Sequence, residues 1–190
     1  MEKDLINLYN QCVNELKTIG IDVNDKAIVG DIDIKLTTRA SKRYGCCKQE
    51  NPDKSSKIIE KHGYRYITKY EKFNKHHIEV SSWVMQLNND IIKNTIMHEL
   101  IHCFPYCNNH GQEFKKYAKY INQKLGYNIT RVGNVKEDYE ESNIPYQEKQ
   151  YKYKIVCEKC GQEIYRNRLS SKLLKRYRCG KCGGKLKLSD

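Results

Sequence analysis

No apolar run in this sequence approaches the roughly 20 residues that a membrane-spanning helix needs, which argues against an integral membrane protein. Hydrophobic residues are sparse, at 38% with a mean hydropathy of −0.84, so a modest core and a soluble chain are expected. Acidic residues are in deficit: 23 Asp+Glu stand against 35 Lys+Arg, a formal net charge of +12 and a pI near 9.2. Such a chain favours polyanionic partners, nucleic acid first and an anionic membrane surface second. The N-terminus, Met1-Glu2-Lys3-Asp4, carries acids where a secretory signal has an apolar segment. A cytoplasmic, reducing compartment is therefore expected. At 190 residues there is room for one catalytic domain and a small appendage, but not for two full-sized domains.

Cysteine is plentiful, with nine residues, yet its arrangement is not that of a disulfide scaffold. Four form two Cys-x-x-Cys pairs near the C-terminus, a metal pattern. The other five, Cys12, Cys46, Cys47, Cys103 and Cys107, are an odd remainder and read as free thiols.

Residues 5–19 place Leu5, Leu8, Tyr9, Cys12, Val13, Leu16 and Ile19 at helical period, and Gly20 is a fitting stop. Residues 28–37 alternate through Ile28, Ile32, Ile34 and Leu36, which predicts a strand broken near Gly30. A second strand is expected over residues 41–45. Residues 46–75 are polar and basic, with Asn51-Pro52 as a turn, and read as a long loop of the kind that carries function or is partly disordered. Within it, residues 64–70 alternate well enough for a hairpin strand. Residues 77–83 follow as another, with Ile78 and Val80 on one face.

A helix then begins near Asn88 or Asn89, either of which suits an N-cap, with Asp90 in the first turn. Ile92, Ile96 and Leu100 mark its buried side, and Pro105 should stop it by about Phe104. Asn108 and Asn109 are candidate caps for the next helix, over residues 110–125. Phe114, Tyr117, Ala118, Ile121 and Leu125 keep its period and Gly126 ends it. Residues 133–148 hold Glu137, Asp138, Glu140, Glu141 and Glu148 with Pro145, and read as an acidic connector.

The stretch with chemistry is His98-Glu99-Leu100-Ile101-His102. Histidines four apart on a helix stand on one face and can chelate one zinc ion, while Glu99 between them can reach a metal-bound water without taking a coordination position. This pattern points to a zinc-dependent hydrolase, a peptidase in the first instance. Such a site needs a third protein ligand and an open position. His110 is the best candidate, because the chain turns at Pro105 and returns through a short loop to the start of the next helix. His62, His76 and His77 have no matching reason to converge. Cys103 points about 100° away from His102 on an ideal helix, and Cys107 stays open as an alternative ligand. Zinc held there would lower the pKa of water towards ~7, with Glu99 as general base and then as acid towards the leaving amine.

Cys157-Glu158-Lys159-Cys160 and Cys179-Gly180-Lys181-Cys182 are separated by 18 residues. Four thiolates at this spacing give a closed, structural zinc site, and a thioredoxin-like redox pair lacks its βαβ context. Residues 151–190 hold 12 Lys+Arg and three acids, a net of +9 out of the chain's +12. Lys172, Lys175, Arg176 and Arg178 lie between the cysteine pairs, with Tyr165, Arg166 and Arg168 on the other arm. Tyr165 and Tyr177 are placed to stack on unpaired bases. A solvated basic face is the plainer alternative.

His98-Glu99-Leu100-Ile101-His102 followed by His110-Gly111-Gln112-Glu113-Phe114-Lys115 resembles the active-site signature of SprT-like metalloproteases, whose eukaryotic members are the Spartan proteases. Lys42-Arg43-Tyr44-Gly45-Cys46 and Ile78-Glu79-Val80-Ser81 are similar to that family's paired strands before the active helix, and the likeness continues into the four-cysteine segment. The resemblance implies a single-zinc peptidase with ligands His98, His102 and His110 and general base Glu99, acting on proteins bound or crosslinked to DNA. The basic segment 46–75 departs from the family pattern, and these residues leave no room for the regulatory tail of eukaryotic members. Replication-clamp or ubiquitin recruitment is therefore not expected.

The combined expectation is an α+β chain. A zincin-like metalloprotease domain over residues 1–148, a small mixed sheet packed on helices, precedes a four-cysteine zinc ribbon over residues 149–190. Two zinc ions are expected, one catalytic at the histidines and one structural at Cys157, Cys160, Cys179 and Cys182. The expected partners are DNA, single-stranded or junction-containing, and DNA-bound protein substrates, with the chain monomeric and DNA- or nucleoid-associated. Two competing readings are a catalytically silent, zinc-containing nucleic-acid-binding or regulatory protein, and a peptidase acting on small free peptides.

Overall fold

The computed structural model describes residues 2–40, 42–147, 150–170 and 172–189, which form two compact units, Met1–Pro145 and Tyr146–Asp190. The boundary expected at residue 148, Glu148 included, lies outside the described residues. Both units mix helices with small sheets. Among the described residues no helix is long and apolar enough to cross a membrane.

Helix α1 (Glu2–Thr18) buries Leu5, Leu8, Cys12, Val13 and Leu16, a single face at helical period. Acids in its first turn and Lys17 in its last complement the helix dipole. The expected strand from Ile28 starts three residues later. Lys26–Val29 instead forms a helical turn, α2, because the Asp25 side chain accepts from the Ala27 amide. Gly30, at φ 69°, then redirects the chain, and a Cβ there would sit 2.4 Å from the Asn74 backbone.

Three strands carry the site. β1 (Asp31–Thr37) runs parallel to β5 (Phe73–Ser81), and β2 (Gly45–Pro52) runs antiparallel to β5 on its other edge. The sheet order is β1-β5-β2, with Ile34 and Cys47 both opposite Ile78. Ile78 and Val80 are fully buried on the central strand. The second strand therefore begins where residues 41–45 were expected to end, and Ser41 lies outside the described residues.

The long loop expected over residues 46–75 is not a loop. After β2 come a 3₁₀ turn and a separate hairpin of β3 (Lys57–His62) and β4 (Arg65–Tyr70). Its two-residue turn is Gly63-Tyr64, with Gly63 at φ 59° as tight hairpins demand. Both faces of this ribbon are largely solvated, so no apolar alternation marks most of it in the sequence.

Helix α3 (Asn89–Ile101) starts at Asn88, whose side chain accepts from the Ile91 amide at 2.9 Å. It is buried on nearly every side, Ile92, Ile96 and Leu100 among them. Helix α4 (Gln112–Leu125) takes Gly111 as its N-cap, not Asn108 or Asn109. Asn108 is engaged elsewhere, donating to the Tyr70 carbonyl and accepting from Gln49. The segment expected to be an acidic connector includes a helix, α5 (Val135–Glu141), anchored to the first unit. Tyr44 donates to Asp138, and Trp83 stacks on Tyr139 at 6.2 Å.

The second unit is a three-stranded sheet in the order β7-β6-β8: β6 (Tyr153–Cys157), β7 (Glu163–Arg166) and β8 (Leu186–Leu188), with a short helix α6 (Leu173–Arg176). Its buried residues are Ile155, Cys157, Cys179 and Leu186. A core this small needs a staple.

Candidate metal centre

The helical period stacks His98 and His102 on one face of α3, ring centroids 5.1 Å apart. His110, on the loop that returns to α4, comes within 4.9 Å of both rings. Phe104 at the end of α3 stacks on Tyr117 of α4 at 4.8 Å, which closes that return. One ligand atom of each histidine lies within 4.8 Å of the others, and His98 Nε2 is 2.9 Å from His110 Nε2. Phe114 packs at 4.7–4.8 Å from all three rings. Its helical period marks it as core, and only the structure makes it the shelf under the imidazoles.

Backbone carbonyls orient two of the rings. His98 Nδ1 meets the Thr130 carbonyl at 3.0 Å, and His102 Nδ1 meets that of Cys107 at 2.6 Å. Donation to carbonyls puts the ring proton on Nδ1 and leaves the Nε2 lone pairs free, as metal-ligating histidines require. Burial lowers the pKa of His98 to about 4 and also lowers those of His102 and His110, so all three favour the neutral form. The donor set fits a divalent metal such as zinc. Cys107 contributes its carbonyl, while its thiol is buried outside this cluster.

Glu99, the next residue after His98 on α3, lies against Gly45 of β2 and is 6% exposed. Burial pushes its carboxyl up to about 8, opposed by the Arg43 charge and the Cys47 amide. Gly45 is the neighbour that sequence reasoning did not single out for a role. A Cβ on it would lie 2.9 Å from Glu99 Oε1. The histidines and Glu99 open on a cleft of about 1180 Å³, whose walls include Arg43, Tyr44, Thr130 and Arg131.

The remaining histidines lie elsewhere. His62 faces Glu60, and His77 bridges Asp33 and Glu50 across the sheet. His76 forms a separate group with Cys47 and Cys103.

In the second unit, Cys157, Cys160, Cys179 and Cys182 form one cluster. Their sulfurs approach at 3.5 Å (Cys157–Cys182) and 3.6 Å (Cys160–Cys179). Burial opposes ionisation of Cys157, but the Cys160 and Lys159 amides outweigh it and bring the thiol to about 6. Amides of Lys181 and Cys182 lower Cys179 in the same way. Gly161 and Gly183, each at φ 70°, make these turns possible. Gly184 lets the chain pass the cluster, since a Cβ there would be 2.8 Å from the Cys157 sulfur. This thiolate set is compatible with zinc.

The basic residues of this unit are spread over several elements. Arg166 ends β7 and Arg168 follows it. Lys172 caps α6, which carries Lys175 and Arg176. Arg178 folds back onto the Lys175 and Tyr177 carbonyls. Tyr165 and Tyr177 are 46% and 64% exposed, and the Lys154 ammonium lies over the Tyr165 ring, 5.9 Å from its centroid. Tyr165 also donates to Glu163 and lies 5.7 Å from Tyr151.

No curated protein sequence matches the chain. The profile of the SprT-like family matches residues 4–133, a span running from the first turn of α1 past all three clustered histidines to the Thr130 carbonyl that orients His98. That match covers well over half of the sequence, and the chain belongs to the SprT-like family.

Proposed function

We propose that the chain is a zinc metalloendopeptidase that cleaves proteins bound or crosslinked to DNA. The observation that carries the reading is the convergence of His98, His102 and His110 beside a buried carboxylate, Glu99, in an open cleft. The three imidazoles would hold the ion. A zinc ion there would acidify water, polarise a peptide carbonyl as a Lewis acid and draw the Glu99 pKa down. Glu99 takes the proton of the attacking water and returns it to the leaving amine nitrogen. Gly45 and the Cys47 amide hold the Glu99 carboxylate in place on one side. Phe114 holds the imidazoles on the other.

The DNA half of the reading rests on charge. Residues 151–190 carry a net +9, and a zinc ion with four thiolates contributes about −2. The second unit is then a zinc ribbon that stays strongly cationic and presents Arg166, Arg168, Lys172, Lys175, Arg176 and Arg178 to phosphates. Tyr165 and Tyr177 stack on unpaired bases. The chain acts as a monomer associated with DNA.

The test is cleavage of a DNA–protein crosslink, with and without DNA and chelator, by the wild type and by Glu99→Gln. DNA-stimulated, chelator-sensitive cleavage lost in Glu99→Gln supports the reading. Cleavage that survives in the variant overturns the mechanism, and DNA-independent, salt-insensitive cleavage overturns the DNA assignment.

A further inference from the structure

Behind Glu99, the first unit holds a third group of metal-ligating side chains that the proposed chemistry does not use. Cys47 on β2, His76 on β5 and Cys103 just past the end of α3 each place one donor atom within 4.8 Å of the others. The Cys47 and Cys103 sulfurs are 3.8 Å apart. That spacing is about the edge of a tetrahedron with metal–sulfur bonds of about 2.3 Å. It is nearly twice the length of a disulfide bond, about 2.05 Å.

The second observation comes from His76, which is 1% exposed and whose Nδ1 has no hydrogen-bond partner among the described residues. Buried ring nitrogens are rarely left in that state, because the group has lost water and gained nothing. The ring does bond to the Val29 backbone, so one ring nitrogen is held by a backbone carbonyl and the other is left with a free lone pair. His98 and His102 show the same arrangement with the Thr130 and Cys107 carbonyls. Histidines that ligate metals are held in this way, one nitrogen on a carbonyl and the other on the ion.

We propose that Cys47, His76 and Cys103 form a further metal site of this chain, taking a thiophilic divalent ion, zinc first. Two thiolates with one neutral imidazole balance a divalent charge, which suits a buried site. Soft sulfur donors select zinc over magnesium or calcium. Binding releases the two thiol protons to solvent. Of the three residues Cys47 lines the cleft, so the ion and a fourth, non-protein ligand would enter from that side. The site would tie β2 to the end of α3 next to the Cys47 amide that meets the Glu99 carboxylate. It stands independently of the peptidase reading.

Cadmium-113 NMR of the full-length chain, loaded under reducing, anaerobic conditions, tests the proposal, because donor sets of four sulfurs, three nitrogens, and two sulfurs with one nitrogen give separate resonances. Three resonances, with three equivalents of metal bound per chain, are expected. Cys47→Ser, at a half-buried position, should remove only the mixed sulfur–nitrogen resonance and one equivalent of metal. Two resonances and two equivalents in the wild type overturn the proposal, and that result needs no variant to fold. A Cys47–Cys103 disulfide in the freshly isolated chain, found by mass spectrometry of peptides and persisting under metal loading, also overturns it.

Discussion

Gly45 and Glu99 touch across the boundary between the sheet and α3: a Cβ added to Gly45 would come within 2.9 Å of Oε1 and 3.0 Å of Cγ of Glu99. The strand can cross the helix this closely only where it has no side chain. Gly45→Ala should therefore displace the carboxylate while leaving the histidines alone. Misplacing a catalytic group by about 1 Å costs on the order of 100-fold in rate, so turnover of a DNA–protein crosslink should fall about 10- to 100-fold. Metal content measured in parallel should stay at the wild-type value. Unchanged turnover would remove Gly45 from the machinery.

Phe114 supports three imidazoles at once and is 2% exposed. Phe114→Ala should cost about 3–5 kcal/mol of stability, the usual loss for a deleted core aromatic. It should also loosen the metal site, so zinc should leave the variant at lower chelator concentration than the wild type. Thermal unfolding of the chelated and zinc-loaded forms separates the two effects. A variant that melts early yet keeps its zinc as tightly would make Phe114 core alone.

Glu79 is a buried carboxylate ringed by Lys48 at 2.5 Å, Arg43 at 3.1 Å and Lys35 at 3.7 Å. The Lys48 hydrogen bond, opposed by desolvation, holds its pKa below the ordinary carboxylate value. A depressed folded-state pKa contributes stability above the unfolded value, roughly 4.3, and that contribution is lost as pH falls through the folded pKa. Glu79→Gln should thus destabilise the chain at pH 7 by about 2 kcal/mol, the scale of hydrogen bonds to charged groups. Urea titrations of both forms should converge as pH drops below about 4. A gap that stays constant down to about pH 3 would contradict the assignment.

For the second unit, Lys175→Ala and Arg176→Ala should each weaken binding to single-stranded DNA about equally for any sequence. Each should reduce the slope of log affinity against log salt by about 0.7, the value for one phosphate contact on a single strand. Tyr177→Ala should cost about 1–3 kcal/mol with little change in that slope, since stacking is not a counterion effect. Fluorescence anisotropy across a salt series reads both quantities. A flat slope in the wild type would leave these charges as a solvated face.

Sequence patterns predicted the parts of this chain differently according to what covers them. α1 and α4 bury one face and expose the other, so their periods are plain. The β3–β4 ribbon buries neither face, and most of it read as loop for that reason. The acids of α5 masked a helix whose anchors, Trp83 and Tyr44, come from residues far away in the chain. Gly111 replaced Asn108 as the cap of α4 because Asn108 is held by Gln49 and Tyr70, partners that local sequence does not reveal.

The sequence by itself determined the local chemistry: two histidines four apart on a helix that Asn88 or Asn89 can cap, a carboxylate between them, and two Cys-x-x-Cys turns. These follow from short-range geometry, the 3.6-residue turn and the tight turn between paired cysteines. The turn at Pro105 also marks His110 as their third partner, and the return from α3 to α4 brings it to His98. Only the tertiary structure decided the rest: the register of β2 on β5 sets Gly45 against Glu99. The same register, with the end of α3, gathers Cys47, His76 and Cys103 from three distant places in the chain. Register and helix packing are non-local, since every core contact contributes to them, and no spacing within the chain encodes their outcome.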